Sequence, residues 1–255
     1  MKWTREHLLL ALDLYCRLPF GQFDQRNHVV KEYAAAMGRT SSSVAMKLCN
    51  LASLDPSERA RGVRGLQNAS RADRNIWEEF NTNPELAVEI ELTAESVLLQ
   101  NPASSVMFPP VEYFPVDPNR PTERIAEIQQ RVGQKFFRDA VLVSYHSRCC
   151  ITGNPVPELL VASHILPWGD YPEQRLNLRN GLCLAQTQDA AFDRGLITID
   201  EDNRLVLSRY LRDFLPNEAL QREFCAFEGR PVSLPEKFGP VPEFMTIHRE
   251  TIFRG

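Results

Sequence analysis

A proline-rich stretch at residues 101–121 constrains the fold of this chain more than any other feature. Its runs Asn-Pro, Phe-Pro-Pro, Phe-Pro and Asp-Pro-Asn-Arg-Pro fix φ and remove backbone donors, so regular structure is not expected there. We expect a semi-extended linker rather than a flexible coil. The 255-residue chain is therefore predicted to fold as two parts on either side of it.

The part before this linker is predicted to be helical. Apolar residues recur at helical spacing in residues 4–18, 27–37 and 40–51, and each of these segments begins with a Thr or Asn that can cap a helix. Residues 84–100 are typical of a fourth, acidic helix. Residues 55–80 are rich in arginine and fit either a segment that lies on DNA or a solvated connector.

The charge is distributed unevenly along the chain. The whole chain carries a net charge of −4, which argues against a protein that coats DNA. Residues 1–74 contain 12 Lys or Arg and 7 Asp or Glu, a net charge of +5, and the remainder has a net charge of −9. The positive end is the natural candidate for contact with phosphate, although a solvated basic face explains it almost as well.

The part after the linker contains a predicted strand–loop–strand–helix unit. Residues 161–165 and 181–184 are short apolar runs typical of strands, and residues 187–194 are typical of a short helix. Asp189 and Asp193 are four residues apart in that helix, so both carboxylates are expected on one face. Such a ββα unit could close around one metal ion.

The polar residues of this unit suit phosphodiester hydrolysis. His164 lies near the end of the first predicted strand, and a histidine can accept a proton from water near neutral pH. The oxygens of Asp189 and Asp193 suit a hard divalent ion such as Mg²⁺. The alternatives are a histidine with a purely structural role, a simple turn at Asn180-Gly181, and an Asp193 that caps the turn at Gly195.

The order and spacing of these residues resemble the HNH (ββα-metal) endonuclease family over roughly residues 138–208. Four short runs carry the resemblance: Cys150-Ile-Thr-Gly153, Ala162-Ser-His-Ile-Leu-Pro-Trp168, Asn180-Gly181-Leu182 and Phe192-Asp-Arg-Gly-Leu-Ile197.

The resemblance implies a role for each matched residue. His164 would be the general base, and Asn180 would hold the loop and orient that base. Asp189 would occupy the position of the family's third-motif histidine, a metal ligand, and Asp193 would be a further ligand one turn on. The implied cofactor is a divalent ion, Mg²⁺ or Mn²⁺, and the implied substrate is DNA.

The chain also departs from the family pattern. Ser163 stands where many members have an Asp or His ligand, although it could hold a metal-bound water, and Gln188 and Asp189 stand where a His is common. The six cysteines form no C-x-x-C pair, so a structural zinc site is not expected and Cys150 and Cys183 are interpreted as buried small hydrophobes. The remaining candidate phosphate clamps are Arg179 and Arg194.

The three N-terminal helices resemble a Myb/SANT-like helix-turn-helix. The resemblance implies that the third helix enters the major groove. The exposed positions of that helix would be Ser41, Ser42, Lys47 and Asn50, and Arg39 could contact phosphate at its N-terminus. The alternative is a helical cap that packs on the nuclease or mediates dimerisation.

These features predict an α+β protein. Three parts are expected: a helical, helix-turn-helix-like DNA-binding domain at 1–80, a helix and linker at 81–121, and a ββα-metal nuclease domain with flanking helices at 122–255. Within the nuclease domain, residues 122–147 are predicted to form a helix, and residues 197–200 and 204–207 are predicted to form a hairpin. His248 is interpreted as structural. No stretch is apolar enough to span a membrane and no signal peptide is evident, so a reducing cytoplasm is expected.

The predicted function is metal-dependent endonuclease activity on DNA, of the restriction or defence type. Two rival functions remain: a sequence-specific DNA-binding protein whose HNH unit is degenerate, and an RNA-directed nuclease. A homodimer is plausible because one HNH unit cuts one strand.

Overall fold

The computed structural model describes residues 2–62, 69–99 and 121–255, with side chains throughout these ranges except for 121–129. The described residues form two compact units, Met1–Asp139 and Ala140–Gly255, so that the division falls inside one helix. The first unit is helical, and the second contains two small antiparallel sheets with helices around them. The predicted α+β class is confirmed.

The helices of the first unit begin where side-chain caps are available. Thr4, Asn27 and Thr40 each accept a hydrogen bond from a backbone N–H of the first turn that follows, which satisfies a donor with no partner inside the helix. These three helix starts agree with the sequence prediction. The helices are α1 (Arg5–Arg17), α2 (His28–Ala36), α3 (Ser41–Ala52), α4 (Pro56–Ala60), α5 (Arg71–Thr82), α6 (Leu86–Leu98) and α7 (Pro121–Ser144), of which α7 continues into the second unit.

Helix α1 forms the centre of the first unit. It packs against α3, α5 and α6, and its residues from Leu8 to Cys16 are all buried. One of them is charged: the Asp13 carboxylate accepts hydrogen bonds from Arg17 and from the Tyr33 hydroxyl. Arg17 also binds Glu91 of α6 at 2.6 Å, so the buried charges are paired as burial requires.

The second unit is built on two hairpins. Strand β1 (Leu160–His164) pairs antiparallel with β2 (Gly181–Ala185), and β3 (Ile197–Ile199) pairs antiparallel with β4 (Leu205–Leu207). Every residue of β2 is buried, because α8 packs on one side of the first hairpin. The helices that follow α7 are α8 (Gln186–Asp193), α9 (Arg209–Arg212), α10 (Glu218–Glu223) and α11 (Pro242–Thr251).

The chain end is held against the turn that follows α8. Gly195 has φ +66° and its carbonyl accepts a hydrogen bond of 2.9 Å from the Arg254 N–H. A Cβ at this position would lie 2.0 Å from the Ile252 carbonyl oxygen, so only glycine fits. Nearby, the buried His248 of α11 stacks on Phe192 with ring centroids 3.8 Å apart, in line with its interpretation as structural.

Most elements lie close to their predicted positions. The two strands of the first hairpin, the short helix that follows and the second hairpin all form, with bounds within about one residue of those expected. The linker prediction at 101–121 falls outside the described residues except for Pro121, which begins α7. The domain boundaries at 80 and 121 stay a prediction, although α6 packs on α1 within the first unit.

Candidate active site

The first hairpin brings the two ends of a 16-residue connection together. In its register His164 lies opposite Gly181, so His164 at the end of β1 and Asn180 just before β2 are neighbours. The main-chain N–H of Ile165 extends the pairing by donating to the Asn180 carbonyl at 2.9 Å. The loop between the strands therefore starts and ends beside these two polar residues.

Asn180 holds the loop with its side chain. Its Oδ1 accepts a hydrogen bond of 2.8 Å from the Leu166 N–H, and its Nδ2 donates to the Leu166 carbonyl at 3.3 Å and to the Gln174 carbonyl at 3.2 Å. The Asn180 side chain is buried, so these hydrogen bonds replace those that its amide and the loop backbone would otherwise make with water. An amide that both donates and accepts is needed here, which explains an Asn rather than an Asp.

His164 is fixed by the same loop. Its Nε2 lies 2.9 Å from the carbonyl oxygen of Arg175, and its ring meets the Trp168 ring edge-on with centroids 5.3 Å apart. The Arg175 Nε donates to the Trp168 carbonyl at 2.8 Å, and its guanidinium carbon lies 5.0 Å from the centre of the Trp168 ring. Arg175 and Trp168 thus hold each other and the imidazole.

The Arg175 contact determines the tautomer of His164. A carbonyl oxygen can only accept, so Nε2 carries the proton and Nδ1 carries the lone pair in the neutral ring. Burial lowers the pKa of His164 below its ordinary value of 6.5, and the Arg175 carbonyl and Asp189 oppose that shift. The ring is therefore neutral at pH 7 and presents Nδ1 as a base.

Helix α8 carries both candidate carboxylates against the hairpin. Asp189 is close enough to His164 and to Asp193 to change the pKa of each. The protein around the Asp193 carboxyl removes part of its hydration, and the charge of Asp189 adds to this, which together raise the pKa of Asp193 to about 6. Two carboxylates that repel each other in this way form a site that a cation would stabilise.

A neutral imidazole, a bracing asparagine and two carboxylates are thus assembled by one ββα unit. Residues 149–200 match the family model described as HNH endonuclease. This segment is an HNH endonuclease domain. The match covers about a fifth of the chain, and no curated protein matches it.

The HNH domain offers oxygen ligands for a metal ion, but few of them. Among the described residues, no group of three or more His, Cys, Asp and Glu side chains is arranged to hold a metal. Mg²⁺ keeps several waters and is commonly bound through one or two carboxylates, so the pair Asp189 and Asp193 fits such an ion. The assignment of these two residues as ligands stays a prediction.

The two family positions that depart from the usual pattern are both buried, but only Gln188 has a side-chain hydrogen bond. Gln188 is buried, and its Nε2 donates to the Glu223 carbonyl at 3.1 Å, away from Asp189. Ser163 is also buried, and successive side chains of β1 point to opposite faces, so Ser163 does not share the face of His164. The Ser163 Oγ has no hydrogen-bond partner among the described residues, and the suggestion that Ser163 holds a metal-bound water stays a prediction.

The two predicted phosphate clamps differ in their surroundings. The Arg179 Nε donates to the Gly239 carbonyl at 3.0 Å, and its own carbonyl accepts from Val241 at 3.2 Å, so Arg179 fastens the segment before α11 to the loop. Arg194 is exposed at the end of α8 and contacts the Ala190 carbonyl at 2.8 Å. Contact with phosphate stays a prediction for both.

The sequence did not assign roles to Trp168 and Arg175. Trp168 belongs to a run that carried the family resemblance, so its position was visible but its contact with His164 was not. Arg175 acts through its main-chain carbonyl, which no side-chain pattern can indicate.

The predicted DNA-contacting residues of the first unit lie in α3 and, for Arg39, just before it. Lys47 was expected to be exposed, and this was wrong, because the side chain is buried, pairs with Asp73 of α5 and lies 4.4 Å from the centre of the Trp3 ring. Ser42 is exposed, as predicted, whereas Ser41 and Asn50 are only half-buried. Arg39 contacts the Lys2 carbonyl and lies over the Trp3 ring at 4.1 Å.

Proposed function

We propose that this protein is a metal-dependent endonuclease that hydrolyses phosphodiester bonds in DNA. The observation that carries the proposal is the bond between the His164 Nε2 and the Arg175 carbonyl, because it leaves Nδ1 as the basic nitrogen inside an HNH domain. The family match supports a nuclease that acts on nucleic acid, and DNA is the finer proposal.

In the proposed reaction, Nδ1 of His164 takes a proton from water while the water oxygen forms a bond to phosphorus. The phosphorus–oxygen bond to the 3′ oxygen breaks in line with the attack, and that oxygen leaves with a proton from solvent. Asn180 keeps the loop, and with it the Arg175 carbonyl and the His164 ring, in place. Asp189 and Asp193 would hold Mg²⁺ or Mn²⁺, whose charge would stabilise the transition state and the departing oxygen.

DNA is proposed as substrate because of the first unit. The positive charge of that unit is confined to residues 1–74, which carry a net charge of +5, whereas residues 75–139 carry 5 Lys or Arg and 11 Asp or Glu, a net charge of −6. The basic segment favours phosphate, and it contains the capped N-terminus of α3 with Ser42 exposed. Lys47 is no longer part of the proposed surface, so the contact would depend on Arg39, Ser41 and Ser42. The helix-turn-helix likeness remains a proposal, since the family match lies in the second unit alone.

The cellular setting is proposed from the cysteines and from the chemistry. The six cysteines all lie within the described residues and form no disulfide, even at the adjacent Cys149 and Cys150, and this supports the proposal of a reducing cytoplasm. No helix among the described residues is long and apolar enough to cross a membrane. A restriction or defence role and a homodimer that cuts both strands are part of the same proposal.

One rival function has a specific observation in its favour. The lack, among the described residues, of a group of three or more metal-ligating side chains fits a DNA-binding protein with an inactive HNH unit. Calorimetry separates the two, because an active enzyme should bind Mg²⁺ or Mn²⁺ in a way that Asp189→Asn abolishes. Cutting of RNA but not DNA would instead support the other rival, an RNA-directed nuclease.

The deciding test is cleavage of supercoiled plasmid by the full chain with Mg²⁺, Mn²⁺ or EDTA. We expect nicking or linearisation with metal, none with EDTA, and none with His164→Ala. His146→Ala is the matched control, since His146 lies exposed in the same unit. Cleavage that survives His164→Ala, or its complete absence in the wild type on modified and unmodified DNA, would contradict the proposal.

A further inference from the structure

Two aromatic side chains are exposed side by side in the second unit. Tyr210 is 48% exposed and Phe214 is 56% exposed, and their rings meet edge-to-face with centroids 5.3 Å apart. Tyr210 lies on the short helix α9, whose Leu211 is buried and anchors it, and Phe214 lies two residues after the end of that helix. Single exposed apolar residues are common on proteins, but two adjacent exposed rings form an aromatic surface patch.

The surroundings of these rings are cationic. The guanidinium carbon of Arg254 lies 5.4 Å from the centre of the Tyr210 ring, and Arg209 is exposed on the same helix. Two carboxylates lie nearby in sequence or space: Asp213 is exposed, and Glu228 is already bound to Arg212. The arginines therefore outnumber the carboxylates, and a polyanion is the complementary partner.

The aromatic pair is fastened to the residues that directly follow α8. The Arg254 N–H donates to the Gly195 carbonyl at 2.9 Å, and the Ser208 N–H donates to the Leu196 carbonyl at 2.9 Å. Gly195 comes two residues after Asp193. The segments that carry the aromatic pair and Arg254 are thus hydrogen-bonded to the residues that follow the helix with the candidate carboxylates.

We propose that Tyr210 and Phe214, with Arg254, bind unpaired bases of a DNA strand next to the scissile phosphate. Bases stack on aromatic rings through their flat faces, and those faces are available only where the strand is unpaired. Arginine beside the rings adds contacts to phosphate and to the base face. The substrate class is then DNA with a single-stranded segment near the cut, which deepens the proposed nuclease function and rests on it.

The test measures binding of the full chain to a fluorescent single-stranded oligonucleotide that contains 2-aminopurine, and to a blunt duplex of the same sequence, both in EDTA. We expect Tyr210→Ala combined with Phe214→Ala to weaken single-strand binding roughly 10-fold or more. The same change should alter duplex binding less than about 2-fold and remove the change in 2-aminopurine emission that base stacking causes. Leu234→Ala, in a side chain that is 62% exposed in the same unit, is the matched control and should bind as the wild type does.

Arg254 provides a second, independent variant. Arg254→Ala should weaken single-strand binding and make it less dependent on salt, because one phosphate contact is lost. Arg254→Lys should restore the salt dependence but not the full affinity, since lysine keeps the charge and stacks less well.

Three results would overturn the inference. The first is equal single-strand binding by the wild type and the double variant. The second is an equal loss on single strand and duplex. The third is a wild-type dimer that the double variant converts to a monomer in light scattering, which would make the rings a contact between copies. Plasmid cleavage measured in parallel separates the two proposals. If single-strand binding depends on the two rings but the wild type cuts no plasmid, only the proposed nuclease activity is refuted.

Discussion

The Nε2 atom of His164 lies 2.9 Å from the main-chain oxygen of Arg175, and this bond determines which ring nitrogen can act as a base. The carbonyl is held in turn, because the Arg175 side chain binds the Trp168 carbonyl and Asn180 binds the neighbouring Gln174 carbonyl. The imidazole is therefore oriented by a loop that closes on itself rather than by a carboxylate.

Arg175→Ala tests this positioning role. Loss of the bond to Trp168 should let the loop shift, and we expect kcat to fall roughly 10- to 100-fold while KM for DNA changes little. Steady-state cleavage of a labelled oligonucleotide measures both constants. Arg222→Ala, an exposed arginine of the same unit, is the control. A rise in KM with unchanged kcat would show that Arg175 binds substrate instead.

The sequence predicted the features that depend on residues close together in the chain, namely helix starts, strands and the spacing of residues on one helix face. Caps at Thr4, Asn27 and Thr40 mark helix starts because the side chain and the N–H that it satisfies are only two or three residues apart. The strand pair and α8 followed from apolar periodicity in the same way. The helical spacing of Asp189 and Asp193 also predicted that their charges interact.

The sequence could not predict contacts that depend on distant residues. Lys47 occupies a position of α3 that would be exposed on an isolated three-helix unit, but α5 covers it and supplies Asp73. The roles of Arg175 and Arg179 depend on main-chain carbonyls brought close by the fold. The burial of Gln188 depends on α10, which lies 35 residues away in sequence at Glu223.

Lys47→Met tests the corrected role of that side chain. Removing it leaves the buried Asp73 without its cation, and we expect a loss of about 3–5 kcal/mol in the free energy of unfolding. Tryptophan fluorescence during urea denaturation measures this, since Trp3 lies beside the pair. The double variant with Asp73→Asn should recover part of the loss. If Lys47→Met instead lowered the salt dependence of DNA binding by the amount expected for one lost phosphate contact, the original prediction that Lys47 contacts DNA would be supported.

Gly195→Ala tests the close approach of the chain end to the turn after α8. The added Cβ would meet the Ile252 carbonyl at 2.0 Å at a positive φ, so we expect a loss of about 2–5 kcal/mol from strain and overpacking together. Gly153→Ala separates the two causes, because Gly153 also has a positive φ but open space around it, and it should cost only about 1–2 kcal/mol. Equal losses in urea denaturation would mean that the Ile252 contact has no effect on stability.

His248 makes the stability of the second unit depend on pH. Burial lowers the pKa of His248 to about 4, although the Phe192 carbonyl opposes this, and its Nδ1 lies 3.0 Å from the Thr198 hydroxyl. The unfolded chain binds a proton near pH 6.5 and the folded chain only near pH 4, so the folded state loses stability as pH falls between these values. The shift corresponds to about 3 kcal/mol of stability, which is fully present above pH 6.5.

Urea denaturation at pH 5 and pH 7.5 measures this pH dependence. The difference in the free energy of unfolding between the two pH values should be smaller for His248→Gln than for the wild type. His28→Gln, at an exposed histidine, is the control, and a pH dependence that His248→Gln leaves unchanged would assign the effect to other groups.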